Sequence, residues 1–186
     1  MSTVSEQHAT LEDLSRVEGK AELIGGRIVQ IMPSGDLPSR VAFEIAVSLR
    51  EHVRRTGLGT AYPDGVGYAV PELPSGRESF SPDASYFLGQ RPLNPMRFLD
   101  GAPTFAVEVR SENDYGAAAE AELADKRADY FAAGTLVVWD VDPLVECVHD
   151  YRLAQPTQPR TYRRGDMADA GPAVSGWCIK VNDILV

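Results

Sequence analysis

The segment Thr104-Phe-Ala-Val-Glu-Val-Arg110, a polar and alanine-rich stretch from Ala117 to Ala133, Gly134, and then Thr135-Leu-Val-Val-Trp-Asp-Val141 decide the fold. The first and last pieces are short β-branched and aromatic runs of strand length. The middle piece is long enough for four helical turns, and Gly134 stops it. Strand, helix and strand at this spacing form a βαβ crossover, so the two strands are expected to be parallel neighbours. Alternation along the first strand sends Phe105, Val107 and Val109 to one face and Ala106, Glu108 and Arg110 to the other.

Upstream, Ala21-Glu-Leu-Ile and Arg27-Ile-Val-Gln-Ile-Met flank Gly25-Gly26, a hairpin signal. Pro33 to Pro38 reads as a loop with Asp36 as a helix cap. From Ser39 to about Arg55, Val41, Ile45, Leu49 and Val53 recur every four residues, which predicts an amphipathic helix ended by Gly57-Leu-Gly59. Two strand-like runs follow, Ala61 to Val70 and Phe80 to Leu88, then a loop from Gln90 to Pro103. Beyond the crossover, further strands are expected at Val145 to Arg152, Arg160 to Arg164 and Trp177 to Val181. Residues 1–19 read as a polar lead-in with a short helix around Leu11 to Val17, and residues 20–186 as one domain.

The 186 residues, 44% hydrophobic and 24% charged, suffice for a core without staples. Cys147 and Cys178 form no zinc or disulfide pattern, which fits a reducing compartment. The N-terminus shows no signal peptide, and the most apolar run, Leu136 to Trp139, is too short to span a bilayer. A cytoplasmic location is therefore expected. The net charge of −9 argues against nonspecific adhesion to nucleic acid. Arg50, Arg54 and Arg55, or Arg160, Arg163 and Arg164, could form a local basic patch, or simply solvated surface.

Three residues stand out as chemistry. Glu108 puts a carboxylate in the middle of a central strand, which is costly unless it is paired or metal-bound; a salt bridge to Arg110 or Arg127 would also satisfy it. Asp83 follows Pro82 at the mouth of the strand Ala84 to Leu88, whereas Pro63-Asp64 beside Gly65 reads as an ordinary turn. Lys126 falls with Leu123 and Tyr130 at helical spacing, on the stripe that faces the sheet. It needs an acidic partner there or a lowered pKa, unless it snorkels from the edge of the stripe.

An Asp opening one strand, a Glu inside the next and a Lys on the crossover helix is the layout of the PD-(D/E)XK, restriction-endonuclease-like superfamily. Within it the chain resembles the Uma-type (Uma-two) family of bacterial restriction endonucleases. The resemblance runs from Glu22-Leu-Ile-x-Gly-x-Ile through Pro82-Asp83, Glu108-Val-x-Ser111 and Lys126-x-x-x-Tyr130 to Ala133-Gly134, Val138-Trp-Asp-Val-Asp-Pro143 and the closing Gly176-Trp-Cys-Ile-Lys-Val. Arg110 replaces the superfamily's usual lysine two positions after the Glu, the role that Lys126 takes in this pattern. Gly25-Gly26 replaces a common Asp-Gly turn, and Pro38-Ser39-Arg40 stands where a histidine often begins the first helix.

The resemblance implies an α/β fold: a restriction-endonuclease-like mixed β-sheet with a βαβ crossover, an N-terminal hairpin and helix, and extra C-terminal strands. It implies a metal-dependent endonuclease hydrolysing nucleic-acid phosphodiester bonds, DNA above all. Asp83, Glu108 and the Val109 carbonyl would hold Mg²⁺ or Mn²⁺, and Lys126 would orient or deprotonate the attacking water with a pKa lowered by burial. Glu22 would supply a supporting or second-metal carboxylate, or would pair with Arg27 across the hairpin. Glu44 is expected at the surface, and Trp139 and Tyr130 in the core. A homodimer would serve to cut both strands. Two other readings stay open: a catalytically silent binding or regulatory module on the same fold, favoured by the −9 charge, and a structural role in a homo-oligomer with the acidic cluster as a salt-bridge network.

Overall fold

The computed structural model describes residues 8–185. Helix α1 (Leu11–Leu14) is set by a capping box: the Thr10 hydroxyl accepts the Asp13 amide, and the Asp13 carboxylate accepts the Thr10 amide. It ends short of the expected Val17, and residues 1–7 of the expected lead-in lie outside the described residues. The glycine turn delivers the expected hairpin of β1 (Ala21–Ile24) and β2 (Arg27–Gln30), antiparallel with Glu22 opposite Val29.

Helix α2 (Asp36–Thr56) starts earlier than predicted, with Gly35 at its cap and Asp36 inside the first turn. Pro38 is tolerated there because amides of the first turn have no intrahelical acceptor. The predicted stripe is buried at Val41, Ile45 and Leu49, joined by Ala42, Ala46 and His52. Gly57 closes the helix in the left-handed region at φ 72° and donates its amide to the Val53 carbonyl.

Each of the next two predicted runs is broken in the middle. β3 (Thr60–Pro63) and β4 (Tyr68–Ala69) are separated by the Asp64-Gly65 turn, where the Asp64 carboxylate accepts the Gly65 amide at 2.8 Å. β5 (Ser79–Phe80) and β6 (Ala84–Phe87) are separated at Pro82, which has no amide to give a ladder. A two-residue strand, β7 (Leu99–Asp100), lies inside the expected loop.

The crossover forms as predicted: β8 (Phe105–Val109), α3 (Ala117–Ala132) and β9 (Val137–Asp142), with β8 and β9 parallel. β10 (Cys147–Arg152) and β11 (Gln155–Arg163) follow, then β12 (Met167–Asp169), β13 (Cys178–Lys180) and a helical turn, α4 (Val181–Ile184). The sequence pattern missed β12, shortened β11, and extended the last strand onto Val181, which begins α4.

The main sheet has six strands in the order β11-β10-β9-β8-β6-β3, mixed because only β8 and β9 run parallel. This is the expected mixed α/β architecture, with β8 and β9 at its centre. Alternation divides the core in two. Phe105, Val107, Trp139 and Val141 pack with the α2 stripe and with Trp177, whose ring centroid lies 5.2 Å from that of Trp139. Ala106 and Val138 pack on the other face with Tyr130, Phe131 and Phe80. Each large side chain so buried contributes about 1.5–3 kcal/mol. Glu108 belongs to this second face, towards α3.

Candidate active site

Four elements converge on one cleft of 380 Å³ lined by Lys20, Glu22, Arg77, Asp83, Glu108, Val109 and Lys126 among others. The hairpin brings Glu22. Its strand β1 docks on residues 78–79: the Leu23 amide donates to Ser79 Oγ at 2.7 Å, and the Glu78 amide to the Leu23 carbonyl at 2.9 Å. The break between β5 and β6 brings Asp83, whose amide donates to the Val107 carbonyl at 3.0 Å. Strand β8 brings Glu108, and α3 brings Lys126 and Tyr130.

These side chains satisfy one another. Lys126 Nζ donates to Glu108 Oε2 at 2.9 Å and stands 3.2 Å from Glu22 Oε1. The Tyr130 hydroxyl donates to Glu108 Oε1 at 2.6 Å. Glu22 also accepts the Ser81 amide at 2.9 Å and a hydrogen bond from Arg77, which in turn donates to Asp129 Oδ2 at 2.9 Å. Asp83 Oδ2 accepts the Val109 amide at 2.8 Å, and Asp83 Oδ1 accepts Lys20 Nζ at 2.7 Å. The second partner of Lys20 is Asp64 Oδ1, also at 2.7 Å.

The electrostatics follow from burial and crowding. Burial pushes Lys126 down, but the Glu108 and Glu22 carboxylates outweigh it and hold the ammonium above the ordinary lysine range. This reverses the expectation that burial lowers it: charged in this arrangement, Lys126 gives hydrogen bonds and takes no proton. Burial, with Asp83 and Glu22 nearby, raises Glu108 above the usual carboxylate range although Lys126 opposes the rise. Glu22 meets the same burial, yet Lys126 and Arg77 hold it below that range. Lys20 loses by burial and gains more from Asp83 and Glu108, ending above the ordinary range.

The structure thus brings Glu22, Asp83, Glu108, Val109 and Lys126 together. The salt bridges expected as alternatives do not form: Arg110 and Arg127 both pair with Asp140, and Glu22 turns away from Arg27 to be 4% exposed. Arg110 also lines the cleft, but it clamps Asp140 through two nitrogens at 2.7 and 2.8 Å, which holds β8 to β9. Trp139 and Tyr130 are both fully buried, as expected, but Tyr130 is also the hydroxyl partner of Glu108. Glu44 is half-buried rather than at the open surface. The first arginine cluster is tied up by Glu51 and His52, and Arg164 by Glu146.

Sequence reasoning missed Lys20, Arg77 and Asp64. One signal for Lys20 was present: the chain has 15 arginines but only three lysines, and Lys20 and Lys126 both stand in the cleft. Among the described residues no group of three or more His, Cys, Asp or Glu side chains is placed to hold a metal ion. The candidate metal ligands Asp83, Glu108 and the Val109 carbonyl offer oxygens only, which suits a hard cation that keeps several waters.

A family model described as "Uma2: Putative restriction endonuclease" matches residues 6–182. A crystal structure described as "a putative nuclease belonging to DUF820 from Anabaena variabilis ATCC 29413" is 21% identical and superposes with a TM-score of 0.71. The match covers 95% of this chain and 97% of that one, and it shows the same fold. No curated protein matches the chain at the significance required.

Proposed function

Because the chain belongs to the Uma2 family described as "Putative restriction endonuclease", we propose that it is a nuclease hydrolysing phosphodiester bonds of nucleic acid, DNA above all, with Mg²⁺ or Mn²⁺. The observation that carries this reading is the meeting of Asp83, Glu108 and Lys126 in one cleft, from three separate elements. Asp83 and Glu108, with the Val109 carbonyl, would hold the cation. When bound, such an ion acidifies water and offsets charge on a phosphate.

The chain's own groups supply the rest. Val109 fixes the Asp83 carboxylate through its amide, and Tyr130 fixes Glu108 through its hydroxyl, so both are oriented before substrate arrives. Lys126 directs N–H donors at the attacking water and at negative charge developing on the phosphate oxygens. Glu22 keeps Lys126 charged and in place. Hydrolysis of both strands of a duplex would call for two copies of the chain.

One observation favours the alternative of a silent binding module: Asp114 and Glu122 on the cleft wall add to a chain of net charge −9, which repels a nucleic-acid backbone. Labelled DNA and RNA oligonucleotides, single-stranded and duplex, incubated with Mg²⁺, Mn²⁺ or EDTA separate the two. Scission that needs the cation supports the nuclease, and no scission under any condition supports the module.

A further inference from the structure

We propose that Lys20 is a positioning residue that takes the place of the divalent cation on Asp83, and that cation entry moves its ammonium onto Asp64. The inference deepens the reading of the same cleft and rests on it. Asp83 has two oxygens, and the Val109 amide fixes one at 2.8 Å. Lys20 Nζ holds the other, Oδ1, at 2.7 Å, so the oxygen open to a ligand already carries a positive charge.

The same ammonium lies 2.7 Å from Asp64 Oδ1. Asp83 and Lys20 are 14% and 16% exposed along their side chains, whereas Asp64 is 53% exposed. Lys20 therefore has a second carboxylate on the solvent side and can leave Asp83 without losing a counter-charge. Lys20 also acts on Glu108, the other expected cation ligand, by charge alone.

The residue type fits the task. Elsewhere the chain ties its buried carboxylates with arginine, as in the two-nitrogen clamp of Arg110 on Asp140. A guanidinium fork is directional and hard to exchange, whereas an ammonium is a compact point charge that a cation can replace. Of three lysines in the chain, the two in this cleft contact the expected cation ligands. A mere tie between the hairpin and β6 would not require the second carboxylate.

The test is Mn²⁺ titration of the full chain, followed by the electron paramagnetic resonance of free Mn²⁺, for wild type, Lys20→Met and Asp83→Asn. Lys20→Met is expected to bind Mn²⁺ roughly tenfold tighter, because its competitor is gone, and Asp83→Asn to lose binding. On wild type, acetylation by a lysine-reactive ester, read by mass spectrometry, is expected to speed up at Lys20 when Mn²⁺ is added. The exposed Lys180 serves as the reference that does not change. Affinity unchanged or weaker in Lys20→Met, with Mn²⁺-insensitive acetylation and binding still lost in Asp83→Asn, would overturn this inference alone. Absence of Mn²⁺ binding in every variant would overturn the cation site and the inference together.

Discussion

The Lys126 ammonium on α3 lies 2.9 Å from the Glu108 carboxylate on β8, across the face of the sheet that the crossover helix covers. Both side chains are 16% exposed, so the pair sits where charges are weakly screened.

Lys126→Met should therefore expose the cost of the carboxylates it balances. Glu22 would keep Arg77 and Ser81, but Glu108 would keep only the Tyr130 hydroxyl. Breaking a buried pair in this way costs about 3–5 kcal/mol. Urea denaturation should show a loss of that order, and adding Glu108→Gln should restore part of it. Cleavage should fall by roughly 10²-fold or more, as when a donor to developing charge is removed.

Tyr130→Phe isolates the orientation of Glu108. The ring stays stacked on Phe80 at a centroid distance of 4.2 Å, and only the 2.6 Å hydrogen bond to the carboxylate is lost. Stability should drop by about 1.5–3 kcal/mol, the range for a hydrogen bond to a charged group. The turnover number should fall with little change in KM, measured on the best oligonucleotide substrate.

Arg110→Met gives the opposite pattern. Asp140 is 1% exposed and would be left with Arg127 at 3.1 Å as its ion-pair partner. Denaturation should show a loss of about 3–5 kcal/mol. Arg110 contacts neither Asp83 nor Glu108 through a hydrogen bond or ion pair, so cleavage by the folded fraction, at a temperature well below the melting transition, should lie within a few-fold of wild type.

A pH effect is expected far from the cleft, at His52. Burial and the neighbouring Arg55 push its pKa below the ordinary histidine range, with the Ser175 backbone opposing. The unfolded chain binds a proton near pH 6.5 and the folded chain only at lower pH. The stability that rests on neutral His52 is therefore present above about pH 6.5 and is lost as pH falls from there through the folded value. Melting temperatures from pH 7 to pH 5 should decline less steeply in His52→Gln than in wild type.

The crossover was legible because two independent periods agree there. Alternation on β8 and β9 and helical spacing on α3 fix which residues face each other, and so Glu108 and Lys126 meet. The hairpin was legible from its Gly25-Gly26 turn, and α2 from the four-residue recurrence of Val41, Ile45, Leu49 and Val53. Lys20 was not, since it belongs to no periodic element and its partner Asp83 is 63 residues away in sequence. Asp64 was hidden in a turn whose residue types explain themselves. The charge state of Lys126 was misjudged because burial could be inferred from the stripe, while the second carboxylate, Glu22, reaches it only through hairpin docking on residues 78–79. The split strands around Asp64 and Pro82 follow from local turn chemistry that overrides an apolar run.

The most direct test of the central claim is nicking of supercoiled plasmid in Mn²⁺ or Mg²⁺ by wild type and Glu108→Gln purified side by side. The substitution keeps the shape of the side chain and removes its charge, and a melting curve establishes that the variant is folded. Cleavage by wild type that disappears in Glu108→Gln and in EDTA is the predicted result. Equal cleavage by both proteins, or none by either on plasmid and on the oligonucleotide panel, would contradict the claim that this cleft is a cation-dependent nuclease site.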